Sequence, residues 1–223
     1  MNGNFFMIES PSFLLTLMTF FFFSIGLLSS AQTSTQKTYH FKVFLDDEVI
    51  GVQRFAVSAE GTRTRIDIEA EFDVKYFLIT FYSYRHTNSE LWEGGCLKEI
   101  RAKTNDNGES FFVEGTFKDG QLRLQTHNGE QHLKGCVKTF AYWNPAWFQS
   151  NRLLNSQTGE LQPIEIQTVA EETLAVRGTP TPTQHRRIIS DKFTIDLWHT
   201  MNDEWVGLHS TTQEGKKLRY ELQ

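Results

Sequence analysis

Most of the short motifs that identify an enzyme at sight are missing from these 223 residues. There is no G-x-S-x-G nucleophile turn, no glycine-rich phosphate loop, no dinucleotide fingerprint and no H-E-x-x-H zinc motif. No cofactor is therefore expected, and no catalytic residue can be assigned. Basic blocks are missing too: 22 Lys and Arg stand against 27 Asp and Glu, a net charge of -5. Without a cationic stripe to neutralise phosphates, no nucleic-acid partner is expected. Cysteine is scarce, with only Cys96 and Cys136. Neither lies in a C-x-x-C pair, and two sulfurs alone do not make a structural zinc site. His127 and His132 flank a turn where they could share a metal, but isolated histidines on a hairpin are far commoner, and no metal site is assigned. No Pro- or Gly-rich linker, low-complexity stretch or internal repeat divides the chain.

Charge is also absent from residues 13–28, "FLLTLMTFFFFSIGLL", which precede "SSAQTS". Ser29 and Ala31 place small residues at the -3 and -1 positions of a cleavage site. The segment reads as a secretory signal peptide, residues 1–31, although its first ten residues carry Glu9 and no Lys or Arg. The alternative is an uncleaved N-terminal anchor, for which the run is slightly short of the ~20 residues of a spanning helix. No cysteine near the site suggests lipidation. Cleavage would leave residues 32–223 as a single antiparallel β domain with no transmembrane span. That is long enough to bury one substantial core. In an exported chain Cys96 and Cys136 read as a disulfide, the alternative being two buried thiols. The linked form would close a loop of about 40 residues.

What is present is alternation. In "TRIDIEAEFDV" (64–74), Ile66, Ile68, Ala70, Phe72 and Val74 take one face and Arg65, Asp67, Glu69, Glu71 and Asp73 the other. "KLRYEL" (217–222) repeats the pattern, and 39–45, 121–127 and 193–200 follow it less cleanly. Such period-two runs are strands with one dry and one wet face. Turn signals such as "NDNG", "KDG" and "HNG" separate them at hairpin spacing. About twelve strands are expected, forming an antiparallel meander curled into an open or flattened barrel. One segment breaks the rule. In "NPAWFQSNRLLNSQTG" (144–159), Asn144 can cap and Pro145 can start a helix of two to three turns, over Ala146 to Leu154.

That helix begins in "FAYWNPAWF" (140–148), which holds five aromatic side chains in nine positions. Three readings follow. The aromatics cap a packed interior, or they line a ligand cavity under a helical lid, or they form a sugar-stacking surface. The candidate ligand-binding residues are Tyr142, Trp143, Trp147 and Phe148. In "YSYRHTNSELWEGG" (82–95), Tyr82, Tyr84 and His86 share a strand face and Glu90 follows. No second carboxylate or nucleophile is placed beside them, so they read as a strand rim.

The stretches "FKVFLDDEVIG", "LWEGGCLKEIRAKTNDNGE", "FAYWNPAWF…LLNSQTGE" and "IDLWHTMNDEWVGLHSTTQEGKKLRYEL" resemble a family of bacterial exported all-β proteins described only as a domain of unknown function. The resemblance runs from about Tyr39 to Leu222, and it implies an all-β fold in a Gram-negative cell envelope, periplasmic or secreted. It hands over no site residue. A looser similarity, of architecture alone, is to the unclosed barrels of periplasmic lipid and lipoprotein carriers. The function expected is non-catalytic binding of a lipid or other apolar small molecule. The alternatives are a packed structural or protein-interaction module, whose protein partner the sequence does not name, and an envelope glycan hydrolase. The last would need two carboxylates about 5–9.5 Å apart across a polar cleft.

Overall fold

Alternating apolar and charged side chains are satisfied by strands that share a dry face, and the chain forms them almost throughout. The computed structural model describes residues 35–77, 79–212 and 214–223; the segment read as a signal peptide lies outside the described residues. The first meander runs through β1 (Thr35–Leu45), β2 (Glu48–Glu60), β3 (Arg63–Tyr76), β4 (Ile79–Glu93), β5 (Cys96–Asp106), β6 (Glu109–Lys118), β7 (Gln121–Thr126) and β8 (Gly129–Lys134). A crossing segment holds a 3-10 helix (Pro145–Gln149) and a two-stranded ribbon, β9 (Arg152–Leu154) and β10 (Leu161–Pro163). The second meander is β11 (Glu165–Val176), β12 (Thr179–Ile189), β13 (Thr194–Thr200), β14 (Trp205–Thr211) and β15 (Lys217–Leu222).

Antiparallel pairing of β15 with β1, Phe41 opposite Leu222 and Leu45 opposite Leu218, joins the two meanders. The result is one 13-stranded sheet in the order β11-β12-β13-β14-β15-β1-β2-β3-β4-β5-β6-β7-β8. Its edges, β11 and β8, do not pair, so the fold is an all-β, curled but unclosed barrel with a single short helix among the described residues. None of its described helices is long and apolar enough to cross a membrane. The alternation in 64–74 is realised up to Phe72 and fades at Asp73, which is half-buried. Ile66, Ala70 and Phe72 are buried, Ile68 and Val74 are half-buried, and Arg65, Asp67, Glu69 and Glu71 are exposed.

The dry face carries two large apolar clusters. One gathers Phe41, Phe55, Leu197, Trp205 and Leu222, and the other Ile66, Trp92, Leu97, Ile100, Val113 and Leu122. Residues 135–164 link the two edges and feed both clusters, with Trp147, Leu153 and Ile164 in the first and Val137, Ala141 and Leu154 in the second. Their course explains why the expected helix is cut short. Asn144 does cap, its Oδ1 accepting from the Ala146 amide at 3.0 Å, but the following amides bond in i→i+3 steps. After Gln149 the chain must bury both Leu153 and Leu154, on opposite sides. Neighbouring residues of a strand point in opposite directions; those of a helix do not. The Ile164 amide then donates to the Asn151 carbonyl at 2.9 Å and closes the ribbon.

The segment is anchored at its start. Cys96, at the head of β5, is disulfide-bonded to Cys136, just past β8, 40 positions further along the sequence. Next to it the Leu97 amide donates to the Val137 carbonyl at 2.9 Å. In the chain-entropy account a loop of that length is worth about 4 kcal/mol.

Curling needs a sharp bend where β2 leaves its turn. The β1–β2 register shifts between Val43 and Phe44, so that Val43 faces Gly51 while Phe44 faces Val49. At Gly51 a Cβ would lie 1.9 Å from the Glu71 carbonyl oxygen of β3, a backbone contact that cannot yield by side-chain rotation. Gly51→Ala is expected to destabilise the protein by about 2–3 kcal/mol. Urea unfolding monitored by tryptophan fluorescence would show it as a lowered midpoint, and an unchanged midpoint would count against this close approach.

Candidate functional site

Four strands and the crossing segment leave part of the dry face uncovered. The opening is a cleft of about 1490 Å3. Its floor is apolar: Phe55 from β2, Ile68, Ala70 and Phe72 from β3, Trp205 from β14, and Leu218 and Tyr220 from β15. One wall is the crossing segment, through Phe140, Tyr142, Trp143 and Ser156. The facing wall is β4 with the end of β5, through Phe81, Tyr82, Tyr84, His86 and Asp106. The mouth lies among the β1–β2 turn, the β14–β15 turn and the end of β3, with Asp46, Asp47, Glu48, Glu214, Lys75 and Lys216.

Aromatic contacts hold the floor together. Phe41 stacks on Trp205 at 4.2 Å and Phe55 on Tyr39 at 4.5 Å, while Tyr142 meets Trp205 edge-on at 5.2 Å. Phe72 stacks on Tyr84 at 5.3 Å and takes Tyr220 edge-on at 6.0 Å. Such pairs add a few tenths to 1.5 kcal/mol beyond area burial, so the floor is shaped before any ligand arrives.

The structure divides the four aromatic residues singled out in the sequence. Tyr142 and Trp143 line the cleft, with Trp143 braced edge-on against Trp92 at 5.7 Å. Trp147 and Phe148 are not on the lining. Trp147 is only 1% exposed, and both rings pack on His199 of β13. The Arg186 guanidinium covers Phe148 at 3.8 Å. The 3-10 helix is thus wedged into the core rather than spread over the opening. Polar bonds fix the segment on both flanks: His199 Nε2 donates to the Tyr142 carbonyl at 2.8 Å, and Lys138 Nζ to the Ala146 carbonyl at 2.6 Å.

The β4 wall is polar but not set up for catalysis. Tyr84 donates to Gln157 Oε1 at 3.1 Å, and Gln157 Nε2 donates to Asp106 at 3.0 Å. Burial pushes the Tyr82 and Tyr84 hydroxyls far up, so both stay neutral. His86, 8% exposed, meets the Thr104 hydroxyl at 2.8 Å through Nδ1 and the Ser156 hydroxyl at 3.5 Å through Nε2. Burial lowers its pKa to about 4, so it is a weak base. The group orienting it is a hydroxyl rather than a carboxylate. The amides of Gln157 and Thr158, the natural oxyanion donors beside Ser156, both bond Asn155 Oδ1 instead. His127 and His132 do not converge: His127 packs edge-on against Phe111 and His132 bonds Glu130 at 2.7 Å. Among the described residues no three potential metal ligands come together.

Most of the floor was not assigned from sequence, although the alternation of 64–74 and 217–222 had sorted Ala70, Phe72, Leu218 and Tyr220 onto one face. Their convergence depends on the ladder order β15-β1-β2-β3, which no local pattern carries.

Residues 41–223 match the model of a family described as a domain of unknown function, DUF6134. None of the curated proteins matches the chain. Among solved structures it is similar to a beta-barrel-like protein of domain of unknown function DUF1849 from Brucella abortus. The two are 9% identical, the match covers 86% of this chain and 96% of that one, and the TM-score is 0.57. At that identity the likeness is one of fold.

Below the wall, Glu90 is buried at 2% exposure and accepts from Asn88 Nδ2 at 2.8 Å, Trp92 Nε1 at 2.7 Å and, from the crossing segment, the Thr139 hydroxyl at 3.2 Å. Desolvation raises its pKa above the ordinary 4.5 despite these three donors. A carboxyl that binds its proton more tightly folded than unfolded loses stability as pH rises through its folded pKa. Glu90→Gln removes that loss while its carbonyl still accepts from Trp92 and Thr139. Its amide can then donate to Asn88 once that side chain turns its oxygen, now without a partner, toward it. Melting temperatures measured from pH 4 to pH 8 should therefore diverge in favour of the glutamine variant as pH rises. Parallel curves would show that Glu90 does not hold its proton.

Proposed function

Because the chain belongs to the DUF6134 family, whose description names no activity, its function is read from the cleft, and we propose that it binds an acyl chain or similar apolar molecule without transforming it. The observation that carries this reading is the apolar floor of a preformed opening larger than the few hundred to about 1,000 Å3 usual for small-molecule sites. Removing about 300 Å2 of ligand surface from water at ~25 cal/mol per Å2 would contribute about 7 kcal/mol before the costs of association. Tyr142 and Trp143 supply the aromatic wall of this site, while Trp147 and Phe148 hold the crossing segment in place behind it. The reading includes export: residues 1–31 act as a cleaved signal peptide, and residues 32–223 fold as one β domain in the periplasm or outside the cell. The Cys96–Cys136 disulfide accords with an oxidising compartment.

Native mass spectrometry tests the proposal. The mature protein, purified without detergent from the envelope of a Gram-negative host, should carry a noncovalent added mass in the lipid range. Ala70 is on the floor and 6% exposed, so the indole of Ala70→Trp would occupy the cleft. That variant should lose the adduct, and Trp143→Ala should carry less of it. A wild type that flies as bare polypeptide and takes up no added fatty acid, alkylamine or maltoside would remove the basis for the reading.

A further inference from the structure

We propose that the molecule taken up in the cleft is an amphiphile whose head group carries an ammonium, rather than a free fatty acid or other anionic lipid. The inference rests on the binding reading above and names the chemistry at the head-group end. Among the residues that line the cleft, five are carboxylates and two are lysines. Among the described residues, no ion pair engages any of these seven. The two lysines, Lys75 and Lys216, are exposed at the mouth, and among the described residues no other Lys or Arg lines the cleft to meet an anionic head.

The surfaces just inside the mouth suit a cation in two further ways. The rings of Tyr82, Tyr84, Phe72 and Tyr220 all belong to the lining, and an alkylammonium is drawn to aromatic faces. His86 presents the second feature. When its Nδ1 donates to the Thr104 hydroxyl at 2.8 Å, its Nε2 is a lone pair whose one partner among the described residues is the Ser156 hydroxyl, at 3.5 Å. In that tautomer the wall offers an acceptor to an N–H donor. A net of three negative charges on the lining, even screened by salt, should separate ammonium from carboxylate by about tenfold in affinity.

The test uses ligands with one twelve-carbon chain and four head groups: dodecylammonium, dodecyl phosphocholine, dodecyl maltoside and dodecanoate, each below its micellar concentration. Displacement of a fluorescent naphthylamine probe from the mature protein reads their affinities. The expected order places dodecylammonium about tenfold ahead of dodecanoate, with the gap narrowing as salt is added. Phosphocholine binding level with dodecylammonium would assign the ammonium to a zwitterionic lipid, and much weaker phosphocholine binding would assign it to a simple amine. The double variant Asp47→Lys/Glu48→Lys, at exposed positions in the β1–β2 turn and at the head of β2, should reverse the preference, read as the ratio of dodecylammonium to dodecanoate affinity with uncharged dodecyl maltoside as the common reference. Dodecanoate binding as tightly as dodecylammonium to the unaltered protein would overturn the inference and leave the cleft a binding site. Failure of all four ligands would overturn the binding reading itself.

Discussion

The apolar face of a 13-stranded sheet cannot be left to water, and one segment, residues 135–164, runs between the sheet's two edges to cover it. Curling brings Phe41 and Phe55 from one meander against Leu197, Trp205 and Leu222 from the other, which closes one end of that face on itself. The crossing segment closes another part with Trp147, Leu153 and Leu154. Thirty residues are too few to cover the rest. What remains is the floor between β15 and β4, so the cleft is a consequence of how much sheet there is and how little chain crosses it.

Holding the segment still matters as much as its length. A short 3-10 helix and a two-stranded ribbon have little stability of their own. They depend on the disulfide at one end, on Thr139 bonded to the buried Glu90, and on the Tyr142 carbonyl bonded to His199. His199, like His86, is held neutral by burial, its pKa lowered to about 4. Where the unfolded chain binds protons more readily than the folded one, stability is lost as pH falls. These two histidines therefore withdraw support from the wall and the crossing segment between the ordinary histidine range and about pH 4. Glu90 works in the opposite direction over its own range, so the two kinds of buried group partly offset each other.

The strands were legible because a dry face writes itself into every second residue. The run from Ile66 to Val74 and the closing Leu218, Tyr220 and Leu222 needed no knowledge of their partners. The segment after Asn144 was legible only at its first turn. A cap and a proline are local signals. The instruction to stop is not local: it lies in the separate burial of Leu153 and Leu154 and in a pairing with residues 161–163. The same limit explains the aromatic cluster. Tyr142 and Trp143 face the cleft and Trp147 and Phe148 the core behind it, although all four lie within seven positions. Composition marks such a run as important but cannot say which ring serves which side.

An unclosed sheet also has two edges that could pair with another chain, and the sequence blunts both. The strand β8 is only six residues long and ends in Lys134. The strand β11 is bulged between Thr168 and Ala170 and exposes Glu165, Glu171 and Glu172. Bulges, charges and short length are the usual means of keeping an edge from adding strands. Its inner half folds back as well: Leu174 comes close to Gly207 of β14, and Arg177 bonds the carbonyl of Gln223 at 2.7 Å. With the edges protected and the crossing segment pinned, the cleft keeps a concave apolar floor open to another molecule. The ligand binding proposed for it would need no rearrangement of the sheet, because the floor is already built and stacked. Under that proposal selectivity would fall to the mouth, where Asp47 and Lys216 sit in turns outside the strand ladders.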